Sequence, residues 1–245
     1  MDGISLLITF IAGAIASFIG STVGGVTFVA VPVLIFLGLP PQIAIATTRL
    51  GGLGLRVSAI TKYAKSHKID WNLVPALCAI SVVGVVIGAN LLLKVDTALL
   101  TRIIGVTLLV ILPLLFVNHI GLKRRKPRHK PMGYFTYFLI KIWGGFMGAG
   151  AGTCSYYNLM YFFGLPIVRS VATSQIPGLI MNLLSMLIFA WYGIIDYTFG
   201  AVLFLGMLLG GWLGASTAVK KGDAWVRIFF AVMVVVFAVK LLIFP

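Results

Sequence analysis

The sequence predicts an all-α integral membrane protein, with about ten transmembrane or half-membrane helices in two inverted five-helix repeats. Three observations predict it. Of 245 residues, 60% are hydrophobic and only 10% charged, with a mean hydropathy of +1.11. A soluble domain needs about a quarter of its residues charged to cover its core, so most of this surface must face lipid. Apolar runs recur along the whole chain, and the chain aligns with itself without a gap at an offset of 126 residues.

Taken in order, the apolar windows place helices at about 4–20, 26–37, 43–64, 73–93 and 98–117, then at about 133–149, 153–164, 168–191, 197–218 and 224–243. The organisation expected is one transmembrane domain over 1–245. Repeat one covers 1–117, a basic linker 118–132, and repeat two 133–245. Met1-Asp2-Gly3 runs straight into an apolar helix without a basic leader, which reads as a retained first span. The windows 26–37 and 153–164 are about 18 Å long at 1.5 Å per residue, too short for a hydrocarbon layer of about 30 Å. Each follows a glycine-rich stretch, Gly20 to Gly25 and Gly148 to Gly152. Those stretches are expected to be unwound within the membrane or to form re-entrant tips.

Net charge is +14, from 19 Lys+Arg against 5 acids. In a soluble protein that balance would suggest nucleic acid, but here the cations cluster in short loops. Lys62, Lys65 and Lys68, the run 123–130, and Lys220, Lys221 and Arg227 mark cytoplasmic loops by the positive-inside rule. The loops near Trp191 to Asp196 and Lys94 to Thr97 then lie outside, as do both termini. Anionic lipid headgroups are the expected surface partners, and nucleic acid is not. Cys78 and Cys154 read as buried thiols with no disulfide or metal role.

At the offset of 126, Gly38-Leu39-Pro40 falls on Gly164-Leu165-Pro166 and Ala46-Thr47-Thr48 on Ala172-Thr173-Ser174. Gly24 meets Gly150, Thr27 meets Thr153, and Gly52-Leu53 meets Gly178-Leu179. Across 20–53 ten positions are identical, where biased composition gives roughly three. Farther on, Asp70 meets Asp196 and Lys94 meets Lys220. Five segments per half is an odd number, so the halves face opposite ways. This is a recurring plan of secondary transporters, with the substrate site near the midplane where the repeats meet. The alternative is a duplicated scaffold that transports nothing.

There is no glutamate, and Asp2, Asp70, Asp96, Asp196 and Asp223 all fall at helix ends or in loops. Cation transport and carboxylate proton relays normally need an acid within the membrane. His67, His119 and His129 have neither ligand spacing nor a nucleophile partner, so no metal, no cofactor and no enzyme chemistry is expected. The ionisable residues inside spans are basic. Arg49 and Arg56 sit seven apart on one helix face, Arg56 closer to the cytoplasmic end, and their repeat partners are Gln175 and Asn182. A buried guanidinium is costly unless satisfied. An anion is a natural partner for its planar fork; snorkelling or capping helix carbonyls is the plainer alternative.

Short helices starting near Gly25 and Gly152 would aim backbone N–H groups at the midplane, while Gly24 and Gly150 could equally serve close packing. Thr22, Thr27, Thr153 and Ser155 could add hydroxyls, and Thr47, Thr48, Thr173 and Ser174 could line the same cavity or bond their own helices. Lys141 either faces a cavity or snorkels, with snorkelling the expectation. Tyr156-Tyr157 is expected to pack, and Arg169 to sit at the cytoplasmic interface.

A glycine-rich break, a short helix, Gly-Leu-Pro, then Ala-Thr-Thr or Ala-Thr-Ser, given twice in this order, resembles the TauE/SafE family of sulfite exporters. The resemblance spans nearly the whole chain and is clearest over Gly148 to Asn182. It implies a multi-pass permease of the bacterial inner membrane exporting sulfite, sulfoacetate or related sulfur anions. Arg49 departs from the small polar or apolar residue expected after the Thr pair, which points to a distinct substrate. The function expected is anion export by alternating access. Uptake of a related anion, or a membrane-embedded enzyme or assembly factor, are the alternatives, and a homodimer is compatible with all of them.

Overall fold

The stop-and-start signals that recur in the sequence are where the helices break. The computed structural model describes residues 3–22, 24–96, 99–100, 102–103 and 129–243, the side chains of 223, 224 and 226–243 excepted. Among them are eight helices: α1 Gly3–Thr22, α2 Val26–Phe36, α3 Pro41–Lys65, α4 Val74–Lys94, α5 Lys130–Phe146, α6 Ala151–Phe163, α7 Ile167–Trp191 and α8 Tyr197–Ile243. The expected ninth and tenth segments, 197–218 and 224–243, are the two arms of α8, which break at Gly222, whose φ of 73° and ψ of −168° leave helical space. The expected span at 98–117, and the linker 118–132 up to residue 128, lie outside the described residues.

Each Gly-Leu-Pro ends one helix and starts the next. Gly38 and Gly164 take positive φ (93° and 70°), the left-handed turn that terminates helices and that a Cβ disfavours. Pro40 and Pro166 are then the N-caps of α3 and α7, where a missing N–H removes no helical bond. α2 and α6, at 11 and 13 residues, are the two short helices. Both begin after left-handed glycines, Gly24 and Gly25 before α2 and Gly148 and Gly150 before α6.

Five helical stretches are long and apolar enough to cross a membrane: α1, α3, α4, α7 and Tyr197–Gly222 of α8. Polarity runs opposite to that of a soluble protein. The least apolar of the five, α3 and α7, are the most buried, and the most apolar, α1 and α4, are the most exposed. Ile4, Leu7, Ile11 and Ile15 of α1, and Leu205, Leu209 and Leu213 of α8, point outward, as lipid-facing residues do. Trp71, Trp191, Tyr192 and Tyr197 are exposed at helix ends, the level at which aromatic rings meet headgroups.

Small residues set the packing. α1 and α3 pack extensively on α8, α4 on α5 and α7, and α3 on α7. Cβ atoms at Gly206 and Gly210 of α8 would run into the α1 backbone at Phe10 and Ala14, and one at Gly88 of α4 would strike Ile142 and Phe146 of α5. Such close backbone approach is how membrane helices gain van der Waals contact without a hydrophobic drive. Cys78 and Cys154 are unpaired, and both are half-buried, not fully buried as the sequence predicts. α4 and α6 carry them on faces that neighbouring helices only partly cover.

Candidate functional site: a basic cavity where α3 crosses α7

Arg49 and Arg56 fall on either side of the α3 midpoint near Leu53, about 10 Å apart along the axis. Arg56 is the closer of the two to the Lys62 and Lys65 end of α3. Both are buried, at 3% and 7% exposure. α3 and α7 run antiparallel, because the start of each is bonded to the chain just past the end of the other. The Asp196 N–H donates to Thr47 Oγ1 (3.1 Å), and the Asp70 N–H donates to Thr173 Oγ1 (3.0 Å). These are the same bond made by repeat-equivalent residues. Thr47 and Thr173 therefore hold the crossing together and do not line the cavity.

Although they share one helix face, the two guanidinium groups address different neighbours. Arg56 Nη1 donates to Gln175 Oε1 (2.5 Å), and a Cβ at Gly178 would lie 2.6 Å from its Cζ. The repeat-equivalent pair has the same intimacy, a Cβ at Gly52 falling 2.5 Å from Asn182 Nδ2. Arg49 turns to α5, its Nη2 donating to the carbonyls of Gly144 (2.9 Å) and Gly145 (3.4 Å), with Gly148 against the guanidinium. Capping of helix carbonyls is thus part of what Arg49 does. It does not satisfy the side chain: Nε of Arg49, Nε of Arg56 and Nε2 of Gln175 are buried without a hydrogen bond.

Between these helices lies a cavity of about 40 Å³, room for about three waters or one small oxyanion. Of the residues expected at a site, Gly24, Gly25, Thr27, Thr48, Arg49, Arg56, Gly152 and Asn182 line it. Gln175 reaches it through Arg56. Thr48 Oγ1 is turned to its own helix, donating to the Ile45 carbonyl (2.7 Å). Thr153 packs against Gly24, bringing the N-terminal ends of α2 and α6 together. Gly150, the left-handed N-cap of α6, and Ser174, buried with an unbonded hydroxyl, stand behind the wall.

The sequence reading missed Tyr156, Gly148 and Gly52 as lining residues. Tyr156 does more than pack: its hydroxyl donates to the Gly20 carbonyl (3.2 Å), closing one side of the cavity. Its position four residues after Gly152, on the same face of α6, was the available signal. One further expectation is corrected. Lys141 does not snorkel; it is 2% exposed because α4 and α6 cover its face of α5. Arg169, in the first turn of α7 and with its side chain 43% exposed, pairs through Nη2 with Asp70 Oδ2 at 3.2 Å. Among the described residues no cluster of His, Cys, Asp or Glu could hold a metal ion.

The family model "Sulfite exporter TauE/SafE" matches residues 9–241. A probable membrane transporter protein of Haemophilus influenzae is 27% identical over 235 residues, covering 94% of this chain and 92% of its own length. The probable membrane transporter protein ORF9 of a Sinorhizobium species is 26% identical, covering 98% of this chain and 93% of its own. The probable membrane transporter protein YfcA of Escherichia coli K12 is 25% identical, with 96% and 88% covered. No solved structure matches the chain. The chain belongs to the TauE/SafE family and is a multi-pass membrane transporter.

Proposed function

Within that family, we propose that this chain is a secondary transporter exporting small anions, sulfite or organosulfonates, through a midplane site at the interface of two inverted repeats. One observation carries the reading. Two buried guanidinium groups with unsatisfied donors line an oxyanion-sized cavity, and no buried carboxylate stands beside them among the described residues. A buried charge left unpaired is costly, so its partner is what visits the site. Arg49 and Arg56 supply the fork, Asn182 and Gln175 the neutral donors. The N-terminal ends of α2 and α6 add backbone N–H groups where Gly25 and Gly152 leave room for an anion to approach.

Repeat-equivalent contacts support the inverted arrangement. Thr47–Asp196 matches Thr173–Asp70, Gly52–Asn182 matches Gly178–Arg56, and α1 on α8 matches α5 on α4. Parity within each half counts the 98–117 segment as a span. Alternating access then amounts to rocking one half on the other around the crossing. An inside-negative potential favours anion exit by about 2.3 kcal/mol per charge per 100 mV, which is sufficient without a coupling ion.

The test is flux of radiolabelled sulfite and of an organosulfonate in proteoliposomes, under an imposed potential of either sign. Wild type should transport, fastest from the negative side, and Arg49→Ala and Arg56→Ala should lose flux while inserting and remaining monodisperse. Wild type that moves no sulfur anion under either potential refutes the proposal.

A further inference from the structure

Lys141 is not used by the site just described, and the packing that buries it supplies no acidic partner among the described residues. It lies mid-helix on α5, 2% exposed, with Nζ donating to Ser155 Oγ at 3.2 Å and sitting 4.6 Å from the centre of the Tyr137 ring. Arg56 and the Cys78 thiol are its other polar neighbours, and neither carries negative charge to pair with it. Its repeat equivalent is Ile15, an outward-facing residue of α1. An aliphatic side chain would therefore fit the helix register, and an ammonium here costs desolvation that one hydroxyl and one ring face offset only in part.

The same helix ties Lys141 to the cavity twice. One turn farther on, the Gly144 and Gly145 carbonyls hold Arg49. Across the α5–α6 contact, the Ser155 hydroxyl that accepts from Lys141 donates to the Ala151 carbonyl (2.7 Å) in the first turn of α6, beside the lining residue Gly152. Arg49, Arg56 and Lys141 thus form a chain of three buried basic side chains with no buried acid among the described residues. With all three protonated, a single negative charge leaves two of them uncompensated.

Resting on the anion-transport reading, we infer that Lys141 is a specificity-determining residue that selects doubly charged oxyanions over singly charged ones of the same size. It acts through the field it adds to the cavity, not by touching the substrate. One extra unit of ligand charge interacting with one lysine across roughly 10 Å, at an effective dielectric constant of about 20, is worth on the order of tenfold in affinity.

Sulfate and methanesulfonate are tetrahedral, nearly equal in size, and fixed at two and one negative charges at pH 5.5. Binding of each to the purified full chain is measured by calorimetry, together with competition against sulfite flux. Wild type should prefer sulfate. Lys141→Met, close in shape and uncharged, should lose on the order of tenfold of that preference, mainly through weaker sulfate binding, and Lys141→Arg should keep it. Sulfate preference unchanged in a monodisperse Lys141→Met overturns the inference, as does an equal loss of both ligands or a wild type without preference. Those results leave anion transport standing. Wild type that binds neither anion and moves no sulfite overturns both proposals.

Discussion

Gly178→Ala tests how tightly the Arg56 guanidinium is positioned. The added methyl would lie 2.6 Å from Cζ, 2.8 Å from Nε and 2.9 Å from Nη1. Ordinary contact begins near 3.4 Å, so the guanidinium must withdraw by at least 0.8 Å, the difference between 3.4 and 2.6. Its bond to Gln175 stands at 2.5 Å, and a withdrawal of that size along the bond takes it beyond the roughly 3.2 Å limit of a good N–H···O contact. Buried hydrogen bonds to charged groups contribute about 1.5–3 kcal/mol, so anion affinity should fall by roughly 10- to 150-fold. The assay is sulfite flux in proteoliposomes over a concentration series, reading KM apart from maximal rate. Gly52→Ala is the internal comparison, because its methyl meets Asn182 Nδ2, the end of a neutral side chain that can rotate, and its KM should move much less. Unchanged KM in a well-folded Gly178→Ala protein would refute the argument that Arg56 is held in a fixed position to meet the anion.

Two further outcomes follow from the crossing and from α8. Thr47→Val and Thr173→Val each remove the acceptor of one loop N–H while keeping side-chain shape. Each should lower stability by about 1–3 kcal/mol, read as a lower Tm of the detergent-solubilised protein, and equal Tm values across the set would contradict it. Gly222→Ala places a Cβ in open space at φ 73° and ψ −168°. The cost is therefore backbone strain alone, about 1–3 kcal/mol, and the same denaturation assay should show it without any steric repair by a second substitution.

How much of this was legible beforehand differs between the two guanidinium groups. The register of Arg49 and Arg56, and the polar residues opposite them, could be read from the repeat, because a helix fixes which positions share a face. That Arg56 finds Gln175 follows almost directly from two antiparallel copies of one helix. That Arg49 turns away to the Gly144 and Gly145 carbonyls does not, since the choice depends on how closely α5 approaches. Glycine positions permit that approach without announcing it. Lys141 was misread for a related reason. A lone lysine in an apolar window snorkels when its face meets lipid, and only the placement of α4 and α6 decides that it does not. The short helices were legible because length against membrane thickness is a one-chain property. The break between the two arms of α8 was legible for a similar reason, since Gly222 falls between two apolar windows and takes a backbone conformation outside helical space.

The burial of charge in α3 also bears on how the chain is made. As a lone segment leaving the insertion machinery, α3 carries two arginines near its middle, each worth about 2.5–3.5 kcal/mol against insertion. The groups that accept their hydrogen bonds are synthesised much later: the Gly144 carbonyl 95 residues on, and Gln175 119 residues on. At about 5–20 residues per second, α3 waits about 5 to 24 seconds for its partners. During that interval it must shelter in the insertase, beside α1 or at the headgroup level, and its final depth is reached only when α7 arrives. A ribosome stalled after α4 should therefore hold α3 accessible to aqueous thiol reagents at a cysteine placed at Leu53, and release from the stall should close it.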